Sequence, residues 1–178
     1  MTPPPDRTPP HEEPQLRPSF AVRAAVVDGR WRCELLAPDA GDELPALEAA
    51  LGEPGGAGWP GPVVLVVDSR LYFVALRHGP GGMVRALVSD ATFLEAVLAA
   101  EAVERYGIEV RTGTTVDDAF DPEEAGVPGG DLDLFADAGL PAEELAAILS
   151  DDLWADEMLL RIAGRVGFAE QLVAAAAA

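Results

Sequence analysis

The amino-acid sequence predicts an α+β fold, in which a five-stranded, mainly antiparallel sheet with two helices precedes a small C-terminal all-helical module. Two observations support this prediction. Between residues 20 and 88, short apolar or alternating segments are separated by Gly, Pro and Asp, a pattern typical of strands and tight turns. Beyond residue 131, apolar residues recur every three or four positions, which indicates helices. With 49% hydrophobic residues, the chain can bury a core despite its acidity.

The first element is a predicted β-hairpin. Apolar residues alternate from Phe20 to Val26 and again from Trp31 to Leu35, with Asp28-Gly29 between the two runs. Asp-Gly favours a two-residue type I′ turn, because both residues tolerate a positive φ. Trp31 falls on the inward side of the alternation and is predicted to lie in the core.

A short helix is predicted next, over Asp42–Leu51, with Asp42 as its N-cap and three leucines at helical spacing. The Gly/Pro-rich residues Gly52–Pro62 form a predicted loop that contains Trp59. The continuous apolar run Val63–Val67 is typical of a strand that is covered on both faces.

Two further strands and a second helix complete the predicted body. Leu71–Leu76 and Met83–Val88 form a meander with the preceding strand, and the helix begins at Ser89 or Asp90 and ends at Tyr106. One apolar face of this helix is predicted to contain Phe93, Leu94, Val97 and Leu98. The order β-β-α-β-β-β-α resembles the profilin-like layout of longin and Roadblock domains.

Composition divides the chain into five segments. These are a disordered Pro-rich tail (1–18), the α+β domain (19–111), an acidic linker (112–130), the helical module (131–173) and a frayed alanine end (174–178). Within the module, Asp131, Pro141, and Asp152 or Asp156 begin three predicted helices. Phe168 and Leu172 are expected to fold back onto the third helix.

Charge restricts the class of partner. Between Arg111 and Arg161 the chain carries fourteen Asp and Glu residues and no basic residue, within a formal net charge of −19. Such a surface repels phosphate backbones and attracts cationic proteins. We therefore expect a basic protein partner and no direct contact with nucleic acid.

Catalytic motifs do not match the sequence. A zinc deaminase needs a His or Cys ligand followed by a Pro-Cys-x-x-Cys pair, whereas this chain has one Cys and two His residues. No Ser-His-acid spacing or phosphate-binding loop is present, and a calcium loop beginning at Asp131 lacks its Gly and its final Glu. The prediction is a protein without catalytic residues, cofactor or metal.

Partner-binding residues are predicted among the acids and one tryptophan. They are Asp117, Asp118, Asp121, Glu123, Glu124, Asp131, Asp133, Trp154, Asp156 and Glu157. Acids in the first turn of a helix stabilise its positive end, so those near helix starts have a structural explanation that the linker acids lack. Trp154 is either an interface anchor for an Arg-bearing partner or a cover for the helix junction.

The C-terminal segment carries a family resemblance. The run Gly130-Asp131-Leu132-Asp133-Leu134-Phe135-Ala136-Asp137, together with Asp156-Glu157 and Val166-Gly167-Phe168, resembles the actinobacterial tRNA adenosine deaminase-associated proteins. Leu87-Val88-Ser89-Asp90-Ala91 is similar to the same family. The resemblance implies tRNA adenosine deaminase as the basic partner.

These observations predict a non-catalytic acidic adaptor or accessory protein in tRNA modification. The alternative is a profilin- or Roadblock-like scaffold that forms homo-oligomers in signalling or assembly. The sequence shows neither a signal peptide nor an apolar run long enough to span a bilayer, so a cytoplasmic protein without membrane contact is expected.

Overall fold

The computed structural model describes residues 14–54, 61–110 and 126–177. Its strands are β1 (Phe20–Val27), β2 (Arg30–Leu35), β3 (Val63–Asp68), β4 (Tyr72–His78), β5 (Val84–Val88) and β6 (Gly129–Gly130). Its α-helices are α1 (Leu44–Leu51), α2 (Val97–Arg105), α3 (Ala142–Ser150), α4 (Ala155–Val166) and α5 (Ala169–Ala176). All strand pairs are antiparallel, in the order β2-β1-β3-β4-β5-β6.

The predicted α+β class and the first hairpin are confirmed. Val27 pairs with Arg30, and both intervening residues have a positive φ, 50° at Asp28 and 75° at Gly29. This is the conformation that a two-residue type I′ turn requires. β3, β4 and β5 form the predicted meander.

The predicted number of five strands is wrong, because β6 adds a sixth. Gly129 and Gly130, which the sequence assigned to the acidic linker, pair with Val88 and Leu87 at the edge of the sheet. Asp131 N then donates a hydrogen bond to Ala86 O at 2.9 Å. A strand of two glycines has no apolar periodicity, so nothing in the sequence pattern indicates it.

Helices cover both faces of the sheet. One face buries leucines of α1 and α2 against alternate residues of β1, β3, β4 and β5. The opposite face packs against α3, α4 and α5, with Phe135, Leu159 and Phe168 fully or almost fully buried there. The C-terminal helices thus share one apolar core with the sheet.

The predicted start and apolar face of the second helix are wrong. α2 begins at Val97, and Asp90 instead accepts a hydrogen bond from Thr92 N at 3.0 Å. An Asp side chain that bonds the backbone two residues on stabilises a turn in place of a helix. As a result, Leu94 and Val97 are 50% and 69% exposed, while Leu98 is buried.

Other predicted helix starts also differ. No α-helix begins at Asp131, because the segment before Gly139 contains only a 3-10 turn at Ala136–Ala138. α1 begins at Leu44, and Trp154 is the N-cap residue of α4 in place of Asp152 or Asp156. The predicted glycine stops are confirmed, since Gly139 and Gly167 have φ values of 95° and 111°.

Both ends of the described chain lie against each other. Leu16, assigned by sequence to the disordered tail, is 6% exposed and forms an antiparallel bridge with Ala177. Ala176, assigned to the frayed end, is fully buried at the end of α5. No helix in the described residues is long and apolar enough to cross a membrane.

Candidate partner-binding surface

One end of the sheet gathers exposed apolar side chains. It contains the starts of β1 and β4 and the ends of β2 and β3, and we call it the Asp68 end. The exposed large side chains here are Leu35, Leu71, Val97 and Trp154, which are 37%, 53%, 69% and 52% exposed. Several large apolar groups exposed close together indicate a binding surface more strongly than one alone.

A cleft of about 530 Å³ opens at this end, mainly on the face that carries α1 and α2, and extends around the end of the sheet to Phe20, Leu35 and Val67. Its volume falls within the range typical of ligand-binding clefts. Apolar walls come from Phe20, Leu35, Val66, Val97 and Leu98, and polar groups from Arg17, Ser19, Asp42, Asp68 and Tyr72. The cleft therefore combines two carboxylates, one phenol and one arginine with apolar surface.

Asp68 has one oxygen engaged and one open. Its Oδ1 accepts hydrogen bonds from Ser69 Oγ at 2.9 Å and Ser19 Oγ at 3.3 Å. In the described part of the chain, no group donates to its Oδ2, and no arginine lies within ion-pair distance of Asp68 or Asp42. Both carboxylates are thus available to a cation.

The pKa of Tyr72 reflects burial and the negative charges of the cleft. Burial raises the pKa of its phenol to about 12, with further contributions from the negative charges of Asp68 and Asp42. The hydroxyl therefore stays protonated at neutral pH and can donate or accept a hydrogen bond. Its ring packs against Phe93 at a centroid distance of 5.7 Å.

The turn between β3 and β4 is held by hydrogen bonds from two other segments of the chain. Ser69 and Arg70 have φ values of 52° and 61°, which cost non-glycine residues on the order of 1 kcal/mol each. Arg70 N donates to Pro18 O at 2.8 Å, and Arg70 O accepts from Ala155 N at 3.0 Å. These contacts hold the turn rigidly beside Leu71.

Trp154 lies beside this turn on the other face of the sheet. The Arg70 guanidinium sits 5.2 Å from the centre of its ring, within cation–π distance. Arg70 Nε also donates to Asp156 Oδ1 at 2.9 Å, and Asp156 is 5% exposed. Glu157 accepts a hydrogen bond from Trp154 N at 2.9 Å. Asp156 and Glu157 therefore have roles within the fold, whereas the Trp154 ring remains half exposed.

Asp131 and Asp133 lie at the opposite end of the sheet, near the turn between β4 and β5. Asp131 forms an ion pair with Arg85 at 2.7 Å and accepts a hydrogen bond from Asp133 N at 2.9 Å. The neighbouring Asp137 binds both guanidinium nitrogens of the buried Arg77. The predicted site residues are therefore not gathered in one place.

The five linker acids, together with the loop residue Trp59 and the tail residues 1–13, fall outside the described residues. Among the described residues, no group of three or more His, Cys, Asp or Glu side chains is arranged to hold a metal ion. His78 lies far from the cleft, with its ring nitrogens 2.8 Å from Gly52 O and 3.3 Å from Gly82 O.

Comparison with known proteins identifies the family. A family model described as Rv3753c-like tRNA adenosine deaminase-associated protein matches residues 19–169. The chain belongs to this family. A relative named Protein Rv3753c, from Mycobacterium tuberculosis (strain ATCC 25618 / H37Rv), is 41% identical to this chain over 157 residues. The alignment covers 87% of this chain and 86% of the relative. No solved structure gives a significant match.

The Rv3753c-like family match confirms the resemblance seen in the Gly130–Asp137 run. The structure gives that run a physical role, because its acids neutralise Arg77 and Arg85 at the sheet edge. The cleft residues Asp42, Asp68 and Tyr72 were missed by the sequence analysis. Their only sequence signal is an acid or aromatic residue next to a strand or helix end.

Proposed function

We propose that this chain is a non-catalytic, cytoplasmic accessory protein whose Asp68-end cleft binds a basic segment of tRNA adenosine deaminase. The observation that supports the proposal most strongly is that Asp42 and Asp68, which have no ion-pair partner in the described part of the chain, lie beside exposed apolar side chains. The family description supplies the partner, since it names a deaminase-associated protein.

The chemistry of the cleft fits one kind of occupant. An Arg or Lys side chain can place its charge between Asp42 and Asp68, where carboxylates accept charge-assisted hydrogen bonds. An aliphatic or aromatic residue next to that cation would cover the exposed Val97. A nucleic acid phosphate would face two carboxylates and one arginine, so the cleft favours a protein segment.

Calorimetric titration with purified tRNA adenosine deaminase tests this proposal at about 0.15 M salt, where only nearby charges interact strongly. We expect wild-type chain to bind, and Asp42→Asn with Asp68→Asn to weaken binding by about tenfold or more. The matched control is Glu104→Gln with Glu109→Gln, which removes two exposed carboxylates outside the cleft. Absence of binding, or equal weakening by both double variants, would contradict the proposal.

The linker acids form a second, electrostatic part of the proposal. Replacing Asp117, Asp118 and Asp121 with Asn, and Glu123 and Glu124 with Gln, should mainly lower the association rate and its dependence on salt. Trp154→Ala tests the proposed role of the Trp154 side chain as an apolar anchor. Asp133→Asn tests the predicted contribution of Asp133 to partner binding. An unchanged association rate in the linker variant would remove the linker from the binding surface.

A further inference from the structure

The outer edge of β2 presents unpaired backbone groups. Leu36 N donates to Ala21 O at 2.8 Å, and Val27 pairs with Arg30 across the two-residue turn. In an antiparallel pair, hydrogen-bonded and non-hydrogen-bonded positions alternate. Arg30, Arg32 and Glu34 therefore direct their N–H and C=O groups towards β1, and Trp31, Cys33 and Leu35 direct theirs outward. No described residue forms a hydrogen bond with those outward groups.

The side chains along this edge carry unpaired charge. Six arginines of the described chain form ion pairs, whereas Arg17, Arg23, Arg30 and Arg32 have no carboxylate within 4 Å there, and two of these four, Arg30 and Arg32, lie on β2 itself. Arg23 lies opposite Glu34 and Arg32 opposite Ala25, so these residues share one face of the sheet. The edge strand β2 thus carries Arg30, Arg32 and Glu34 on a single face.

We infer that a second copy of this chain pairs with β2 along this edge, antiparallel and with Cys33 opposite Cys33 of the second copy. In this register Arg32 faces Glu34 of the second copy, and Glu34 faces its Arg32. On the other face, Trp31 meets Leu35 of the second copy, which is 37% exposed in the single chain. The outward backbone groups of residues 31, 33 and 35 form about six hydrogen bonds.

Charge selects this register over the others that the outward groups allow. A pairing centred on Arg32 gives two Arg30–Glu34 pairs but places two Arg32 side chains face to face, and one centred on Glu34 places two Glu34 side chains face to face. A pairing centred on Trp31 places Arg30 opposite Arg32, and one centred on Leu35 has no Arg–Glu pair. Like charges directly opposite each other destabilise a sheet, and opposite charges stabilise it. The register centred on Cys33 gives two Arg–Glu pairs and no like-charge pair.

Sedimentation equilibrium of the full chain at about 0.15 M salt tests the inference. Wild-type chain should have the mass of a dimer at concentrations of about 0.1 mM. Arg32→Glu and Glu34→Arg should each be monomeric, because each variant places like charges opposite each other in its own dimer. An equimolar mixture of the two variants should recover a dimer, since every facing pair in the mixed dimer is then of opposite sign.

This mixture distinguishes lost pairing from lost folding, because misfolded variants would not regain a specific partner. Arg30→Glu is the matched control, as it changes the charge of the same strand by the same amount but faces Leu36 of the second copy. It should stay dimeric. A monomeric wild type would overturn the inference, and so would a mixture that stays monomeric. It would also be overturned if Arg30→Glu dissociates the dimer while Arg32→Glu has no effect.

Discussion

The two ends of the sheet use carboxylates in opposite ways. Near the turn between β4 and β5, Asp131 and Asp137 pair with Arg85 and Arg77, so their charges stabilise the fold. At the Asp68 end, two carboxylates face a cleft without an arginine partner among the described residues, beside exposed apolar side chains. The comparison shows that the pairing of acids, more than their number, distinguishes carboxylates that stabilise the fold from carboxylates that are open to a cation.

The largest expected effect is at the edge of the sheet where β6 pairs with the end of β5. A Cβ on Gly130 would lie 2.2 Å from Ala86 O, and its φ is 103°. Gly130→Ala should therefore lower the free energy of unfolding by more than about 3 kcal/mol, from strain and displacement of the strand. Urea denaturation followed by circular dichroism measures this change.

Gly139→Ala is the matched control for Gly130→Ala. Gly139 also has a positive φ, 95°, but nothing lies within 4 Å of its added Cβ. Its substitution should cost only about 1 kcal/mol from backbone strain. If the free energy of unfolding decreases equally in the two variants, the close contact between β6 and β5 does not contribute to stability.

The next largest expected effect is a difference in stability between two charge substitutions, one at each end of the sheet. Asp137→Asn should lower the free energy of unfolding by about 1 kcal/mol, because Arg77 is 4% exposed and loses its charged partner. Asp68→Asn should change stability by less than about 0.5 kcal/mol, since Asp68 has no ion pair to lose within the described chain. Denaturant titration of both variants checks this order, and a reversed order would break the comparison.

The smallest effect concerns the titration of Tyr72. In a Tyr106→Phe background Tyr72 is the only tyrosine, and its phenolate absorbance gives its pKa directly. Asp42→Asn with Asp68→Asn should lower the pKa of Tyr72 from about 12, because the nearby negative charges are removed. The pKa should stay above 10, since burial is the larger cause.

The sign of the accompanying stability change follows from linkage. The folded chain holds the Tyr72 proton more tightly than the unfolded chain, so its stability decreases as pH rises from about 10 to about 12. Neutralising the two acids should reduce this decrease. Asp137→Asn, at the other end of the sheet, should leave the Tyr72 titration unchanged.

Local sequence patterns predicted most of the sheet. Asp28-Gly29 indicated the first turn, and Gly139 and Gly167 indicated helix ends. Such positions require a positive φ, which glycine and, less readily, Asp can adopt. The cleft could not be found in this way. It joins the start of β1, the end of β3 and the start of α2, which lie far apart along the chain.

Val97 illustrates why the site was missed. Helical periodicity placed it on a buried face with Phe93 and Leu98, but a turn stabilised by Asp90 delays the start of α2. Val97 consequently lies at the first position of the helix, exposed at the cleft. A local hydrogen bond thus changed which side chains face the solvent.

Hydrogen exchange of the chain with and without tRNA adenosine deaminase tests the central claim most directly. We expect slower amide exchange at residues 19–20, 35–42, 68–72 and 97–98, which form the Asp68 end, and no change at residues 130–137. Protection confined to residues 130–137, or none at the Asp68 end despite binding, would contradict the account.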